Sequence, residues 1–252
     1  MNETINTILN HRSIRAFKDE PLSDEQISLI VQSAQAAATS SYLQVYSIIG
    51  VKDPAKKKKL AELAGNQEYV EKNGHFFVFC ADLHRHKLAV EMEGLSEKEI
   101  EETVESTEKF MVGTIDAALA AQNAVLAAES MGLGICYIGG LRNRLDEVVK
   151  VLNTPDRVIP LFGLCVGVPD QNPGKKQRLP MENIYHVDGY QQDDQLLKEQ
   201  LASYNEDISA YYRERTQGKR SHSWTEIIAG KMTKPVRMYM KDFLKSIKIP
   251  LK

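Results

Sequence analysis

The sequence contains little cysteine, no strong charge of one sign and no long uninterrupted apolar run. Its three cysteines, Cys80, Cys136 and Cys165, are odd in number and lie inside apolar stretches, which favours reduced, buried thiols over a disulfide framework. A formal net charge of -2 excludes a broad basic surface for non-specific nucleic-acid binding. With 42% apolar and 26% charged residues, the composition is that of an ordinary globular protein.

The sequence also shows no pattern typical of a secretory signal or a membrane span. The first ten residues have neither a basic region nor a long apolar run, so we expect no secretory signal. The longest continuous apolar stretches, 75–81 and 159–168, are shorter than the ~20 residues of a membrane span. We therefore expect a cytoplasmic protein.

Helical and extended patterns alternate without a regular βαβ rhythm. Ser23 and Gln26 form a capping box before an apolar helix face, and Asp53-Pro54 starts a lysine-rich helix that ends before Gly65. Strands are predicted over 45–51, 76–81, 135–138 and 158–168, and further helices over 4–10, 111–131, 143–152, 191–213 and 236–247.

Proline and glycine cluster at 169–180, which marks a long surface loop. We expect residues 1–180 to form an α+β core. Residues 181–252 contain few large apolar side chains, so we expect an extension that packs on the core and on a second subunit.

Three clusters could carry chemistry. His11-Arg12-Ser13-Ile14-Arg15 brings two guanidinium groups, an imidazole and a hydroxyl together, and such donors suit a phosphate, although a solvated basic turn has the same composition. Lys176-Gln177-Arg178 adds two cations in the proline-rich loop.

The third cluster, 132–142, is rich in glycine but does not match the dinucleotide fingerprint. Tyr137 occupies the last glycine position of GxGxxG, and the glycines follow a helix instead of a strand. Gly139-Gly140 is better interpreted as a bare backbone bend that a flat ligand can approach closely.

A metal site is not favoured. His75, His84 and His86 surround Cys80 and Asp82, but these residues straddle a strand whose side chains alternate between faces. No compact CxxC or HxxxH spacing is present.

Taken in order, the motifs resemble the nitroreductase superfamily, in particular its NADPH-preferring, FMN-containing group of nitroreductases and flavin oxidoreductases. The resemblance covers nearly the whole chain. It depends on the segments 11–17, 127–134, 137–143, 160–167 and 172–180.

This resemblance implies an α+β homodimer with a mixed sheet surrounded by helices, a long central dimer helix, FMN held non-covalently between the subunits, and a C-terminal extension that embraces the partner. It places His11, Arg12, Ser13 and Arg178 around the FMN phosphate, and Arg15 and Lys176 near the pyrimidine side of the flavin. Other flavin contacts implied are Thr39, Ser41, Gln67, Tyr137, Ile138, Gly139, Gly140 and Leu141. Thr39 stands where relatives often carry serine.

The chemistry implied is hydride transfer from NADPH to the flavin, followed by ping-pong reduction of a nitroaromatic, a quinone or free flavin. No side chain is assigned the chemical step, although Arg15 and Lys176 give electrostatic support. Arg215, Lys219 and Arg220 are the candidates for the 2′-phosphate of NADPH. A flavin-storage protein and a dimeric scaffold remain as alternatives, and the acidic pI and missing aromatic platforms disfavour RNA as a partner of such a scaffold.

Overall fold

The protein is described by a computed structural model that covers residues 2–249. The chain divides into two compact units. One runs up to Pro173 and resumes at Arg237, and the other is Gly174–Val236. The end of the chain therefore groups with the first unit. The predicted packing of 181–252 on the core and on a partner subunit stays a prediction.

The first unit is built on a sheet of four strands in the order β1-β2-β4-β3. Every pair of neighbouring strands is antiparallel, and parallel pairing within residues 2–249 is confined to a bridge between Ser13 and Ile135. The α+β class is confirmed. The strands are β1 Tyr46–Val51, β2 His75–Asp82, β3 Gly134–Ile138 and β4 Val158–Gly167.

Helices surround this sheet, and several of them begin as the sequence predicts. Both hydrogen bonds of the Ser23–Gln26 capping box are present, and the Asp53 side chain accepts the N–H of Lys56. The helices of the first unit are α1 Glu3–Leu9, α2 Asp24–Gln35, α3 Pro54–Leu63, α4 Glu68–Glu71, α5 His84–Met92, α6 Glu97–Val104, α7 Thr107–Ser130, α8 Leu145–Leu152 and, near the chain end, α11 Met240–Ser246.

The core lies between β2 and the long helix α7. All eight residues of β2 are buried, and the face of α7 towards the sheet is lined by alanines. A Cβ on Gly113 would lie 3.0 Å from side-chain atoms of both Val45 and Ala81. Small residues therefore allow α7 to approach the sheet closely.

Among the described residues, α7 is the one helix long and apolar enough to cross a membrane. The sequence prediction that no segment is long enough to span a membrane considered only uninterrupted apolar runs, and α7 has polar residues between its apolar ones. Almost half of its most apolar window is buried within the protein, and it carries Asp116, whose carboxylate is buried and hydrogen-bonded. These features are those of a core helix.

The chain end is tied to the first unit by Tyr239. Its hydroxyl donates to the carbonyl of Arg142 at 2.8 Å and accepts the N–H of Leu145 at 2.9 Å. Phe243 and Leu244 of α11 are buried in the main core. The helix predicted over 236–247 is present in shorter form as α11, and a turn at 238–239 precedes it.

The second unit is largely helical. The predicted polar helix is α9, Asp194–Arg215, and it packs against α10, Trp224–Met232, which the sequence analysis missed. Tyr204 contacts Trp224 edge-on, with ring centroids 6.2 Å apart. Asn205 exchanges hydrogen bonds with Thr225.

A buried histidine makes the first unit sensitive to acid. His75 is 4% exposed, and its Nε2 has no hydrogen-bond partner. Burial lowers the pKa of His75 to about 4, and Lys52 and Lys57 add to this effect. The folded protein therefore holds His75 neutral at pH values where the unfolded chain protonates it.

We predict that the free energy of unfolding falls by about 2 kcal/mol between pH 7.5 and pH 5 because of His75 alone. The contribution is complete above the ordinary pKa of 6.5 and is lost as the pH falls towards 4. Urea denaturation should show a smaller drop for His75→Leu, whereas His222→Leu, at an exposed histidine, should behave like the wild type. Equal drops in all three proteins would contradict the prediction.

Candidate functional site

The segment 11–15 lies beside β3 and is held by its backbone. The N–H of Ile14 donates to the carbonyl of Ile135 at 2.8 Å, and Ser13 forms the parallel bridge to the same residue. A Cβ on Gly134 would lie 2.7 Å from the Ile14 side chain. Glycine at this position therefore lets the basic segment approach the sheet.

His11 is joined to the end of the central helix. Its Nδ1 lies 2.7 Å from Oε1 of Glu129, and both side chains are largely shielded from solvent. The other carboxylate oxygen of Glu129 is buried without a hydrogen-bond partner. This pair fixes the imidazole and leaves one acceptor unsatisfied.

Arg12 and Ile14 line an open groove of about 1310 Å³. Its other walls are α1, the carboxyl end of α7 with Gly132 and Gly134, and the loop 169–172. Glu3, Glu129 and Asp170 also line it, so the groove carries charges of both signs. Arg12 is half-buried there.

Arg15, Gln67, Tyr69 and Gly140 form a second group. The Tyr69 hydroxyl donates to Oε1 of Gln67 at 3.0 Å. Burial raises the pKa of Tyr69, and the guanidinium of Arg15 acts in the opposite direction. Arg15 itself is exposed, so its charge remains available to a ligand.

The 139–140 bend lies directly against the end of α3. A Cβ on Gly140 would collide with the carbonyl oxygen of Ala64 and lie 3.0 Å from Nε2 of Gln67. The bend opens a 3-10 turn, Gly139–Asn143, in which Arg142 donates to the carbonyl of Leu161 at 2.5 Å. Glycine at position 140 therefore lets the bend pack against the end of α3, and the approach of a flat ligand stays a prediction.

The remaining residues of this stretch differ in accessibility. Tyr137 is 39% exposed, and its ring meets Phe162 edge-on with centroids 5.5 Å apart. Burial raises the pKa of Tyr137, and the carboxylate of Glu129 adds to this effect. Ile138 and Leu141 are buried in the core, so their side chains do not face a ligand at the surface.

Thr39 and Ser41 belong to a strained loop. Ser41, Tyr42 and Gln44 all have positive φ, between 49° and 60°, a conformation that costs about 1 kcal/mol or more for each non-glycine residue. Compensating contacts must therefore hold this loop in place.

Asp116 provides those contacts from α7. Its side chain is fully buried, and its two oxygens accept the N–H groups of Ser40 and Val45, each at 3.0 Å. The sequence analysis missed this residue, although an acid in the middle of an apolar helix was a usable signal.

In the second unit, the cations Lys176 and Arg178 are both tethered. Nζ of Lys176 donates to the hydroxyl of Tyr212 at 3.0 Å, and Arg178 donates to the carbonyl of Lys176 at 2.6 Å. Tyr204, buried in α9, donates to the carbonyl of Gln177 at 3.2 Å. Three contacts thus define the conformation of this short loop.

The 2′-phosphate candidates lie at the carboxyl end of α9. Arg215 donates to the hydroxyl of Tyr211 at 2.7 Å, and the N–H of Arg220 donates to the hydroxyl of Thr216 at 2.8 Å. Gln217 and Gly218 take positive φ. Arg215, Lys219 and Arg220 are all exposed on a hydrogen-bonded turn.

Within the first unit, Arg12 and Ile14 line the groove, and His11 is paired with Glu129 of the same groove. Arg15 lies near Tyr69, which is bonded to Gln67 beside the glycine bend. Asp116 separately holds the conformation of the loop that carries Thr39 and Ser41. The sequence analysis also missed Glu129 and Tyr69. Among the described residues, no group of three or more His, Cys, Asp or Glu side chains is arranged to hold a metal ion.

Comparison with known families assigns the chain. The Nitroreductase family profile matches residues 8–168, and the Nitroreductase family, C-terminal domain profile matches residues 176–252. The chain belongs to the nitroreductase family. The expected family is confirmed.

Full-length relatives are close in sequence and structure. The chain is 58% identical over 245 residues to the FMN reductase (NADPH) of Bacillus subtilis, covering 97% of both chains. It is 43% identical over 248 residues to the NADPH-flavin oxidoreductase of Vibrio harveyi, covering 98% of both. The solved structure of NfrA1 from B. megaterium has a TM-score of 0.96 and 60% identity, covering 99% of this chain and 100% of that one. The family and these relatives confirm the expected class of enzyme, an NADPH-dependent oxidoreductase.

We predict that Asp116→Asn loosens the 39–45 loop. One amide N–H would then face the NH₂ group of asparagine in a buried site, at a cost of about 2 kcal/mol. Hydrogen exchange at the amides of Ser40 and Val45 should accelerate by roughly 30-fold. Asp24→Asn, at a carboxylate that is 92% exposed, is the matched control and should leave both rates unchanged. Unchanged exchange in Asp116→Asn would show that the loop holds without this carboxylate.

Proposed function

We propose that this protein is an NADPH-dependent FMN oxidoreductase that passes electrons to free flavin or to other flat, electron-poor acceptors such as nitroaromatics and quinones. The observation that carries the proposal is the 58% identity, over 97% of both chains, with an FMN reductase (NADPH). The NADPH-flavin oxidoreductase of V. harveyi supports the same activity from a more distant sequence.

The residues of the first unit fit FMN. Arg12 lines the groove, and its guanidinium is a donor suited to a phosphate. Ser13 is assigned to the phosphate by the family resemblance. The glycine bend at 139–140 lies next to Gln67, and its backbone is assigned to the flavin ring by the family resemblance. His11, held by Glu129, completes the donor set. By the family resemblance, Lys176 and Arg178 contribute two further cations.

When bound, FMN supplies the hydride chemistry. The contribution of the chain is electrostatic and positional. The guanidinium of Arg15 stabilises negative charge on the pyrimidine side of the ring, and Lys176 is assigned the same role. Gln67 is hydrogen-bonded by Tyr69 and presents its amide next to the glycine bend. Thr39 and Ser41 supply hydroxyls from the loop that Asp116 holds.

NADPH and the acceptor use the same open site in turn, which gives ping-pong kinetics. The exposed cations Arg215, Lys219 and Arg220 are assigned to the 2′-phosphate that distinguishes NADPH from NADH. Because such a contact is remote from the transferred hydride, it acts on nucleotide binding and leaves turnover largely unaffected.

The active form is proposed to be a homodimer in the cytoplasm. Met111, Ile115 and Leu119 recur at helical spacing along α7 and are each about half exposed, and Ile5, Ile8 and Leu9 of α1 are similarly uncovered. Such an apolar stripe on a long helix favours burial against a second subunit. The three free, buried cysteines support a reducing compartment.

One experiment tests the activity directly. Purified protein loaded with FMN is mixed anaerobically with NADPH, and the flavin absorbance near 450 nm is followed, first alone and then after addition of free FMN. Rapid bleaching followed by transfer to free flavin is expected. A protein that stays yellow would be a flavin-storage protein. A protein that never takes up flavin would be neither a flavin oxidoreductase nor a flavin-storage protein.

We predict that Arg12→Ala loses FMN. Removal of the guanidinium leaves part of the phosphate charge unpaired, which costs about 2 kcal/mol or more and weakens binding by roughly 30-fold. Flavin per subunit after gel filtration is the measurement. Lys18→Ala, at an exposed cation six residues further along the chain, is the control and should retain its flavin. Full occupancy in Arg12→Ala would remove this residue from the phosphate site.

A further inference from the structure

Two adjacent tyrosines on α9 contact two different cations. Tyr211 and Tyr212 pack edge to face, with ring centroids 5.4 Å apart and planes inclined at 67°. Both are partly buried. Each hydroxyl is hydrogen-bonded to one positive side chain of the second unit.

Tyr212 contacts the loop that carries Lys176. The Lys176 ammonium donates to its hydroxyl at 3.0 Å and lies 5.3 Å from the ring centroid. This contact spans 36 residues of sequence, so it fixes the loop relative to α9. Tyr204, two turns earlier on the same helix, binds the next carbonyl, that of Gln177.

Tyr211 contacts Arg215 one turn later in α9. The guanidinium donates to the Tyr211 hydroxyl at 2.7 Å and lies 5.8 Å from the ring centroid. Neither Lys176 nor Arg215 has a carboxylate partner among the ion pairs of the described residues. A phenol orients a cation without neutralising it, whereas a carboxylate would cancel the charge that a phosphate needs.

We propose that Tyr212 and Tyr211 are positioning residues with separate tasks, the first holding Lys176 for the flavin and the second holding Arg215 for the 2′-phosphate of NADPH. The inference rests on the proposed function, because that proposal assigns the two cations their ligands. Long cationic side chains lose rotamer freedom when they bind a ligand, so orientation before binding increases affinity. One helix thereby controls both cofactor affinity and nucleotide choice.

The test exchanges each hydroxyl for hydrogen in the full-length protein loaded with FMN. Tyr→Phe keeps the ring and its edge-to-face packing, so folding is preserved. Two quantities are measured for every variant: the FMN Kd, from flavin fluorescence released on dilution, and the ratio of kcat/KM for NADPH to that for NADH at saturating FMN. The variants are Tyr212→Phe, Tyr211→Phe, Lys176→Ala, Arg215→Ala and, as a control at a largely exposed tyrosine of the same unit, Tyr185→Phe.

The expected result is a crossed pattern. Tyr212→Phe raises the FMN Kd roughly 5-fold without changing the nucleotide ratio, and Tyr211→Phe lowers the nucleotide ratio roughly 5-fold without changing the FMN Kd. In Tyr211→Phe the loss appears in KM for NADPH, while kcat is maintained. Tyr185→Phe changes neither quantity.

The alanine variants test the ligands assigned to Lys176 and Arg215 separately from the positioning roles of the two tyrosines. If Lys176→Ala and Arg215→Ala show the expected losses but the two phenylalanine variants do not, the positioning role is overturned and the ligand assignments stand. If both phenylalanine variants change both quantities, the tyrosines maintain the unit as a whole and the division of tasks is wrong. If the alanine variants themselves have no effect, the cations have other roles and both the assignments and the inference fail.

Discussion

The close packing of α7 on the sheet is the contact on which the rest of the first unit depends. Alanines line the helix face, and Gly113 allows the backbone to approach Val45, just before β1, and Ala81 of β2. From this position the helix presents Asp116 to the strained loop and Glu129 to His11. These carboxylates are 13 residues, or ~20 Å, apart along the axis. A single rigid element thus sets two separate parts of the candidate site.

Much of this arrangement follows from local sequence signals. The capping box at Ser23, the Asp53-Pro54 helix start and the fully buried strand β2 depend on neighbouring residues or on simple periodicity, and all were predictable. The family was predictable as well, because its motifs are short and occur in a fixed order along the chain.

Other features depend on contacts between distant residues, and a local signal alone does not establish them. Helix α10 begins with a capping box at Ser223 and Glu226, but its apolar residues make sense only beside α9. The positive φ angles at Ser41, Tyr42 and Gln44 are stabilised by an acid more than 70 residues away. The contact between Tyr212 and Lys176, which are 36 residues apart in sequence, likewise forms only in the folded unit.

The three cysteines give the fold a chemical consequence beyond packing. Burial raises the pKa of Cys80, Cys136 and Cys165, so their thiolates are scarce at neutral pH. Quinones are electrophiles that add readily to thiolates, and the thiolate is the reactive form of cysteine. With all three thiols buried in this way, the protein presents no reactive sulfur to the electrophilic acceptors named in the proposed function.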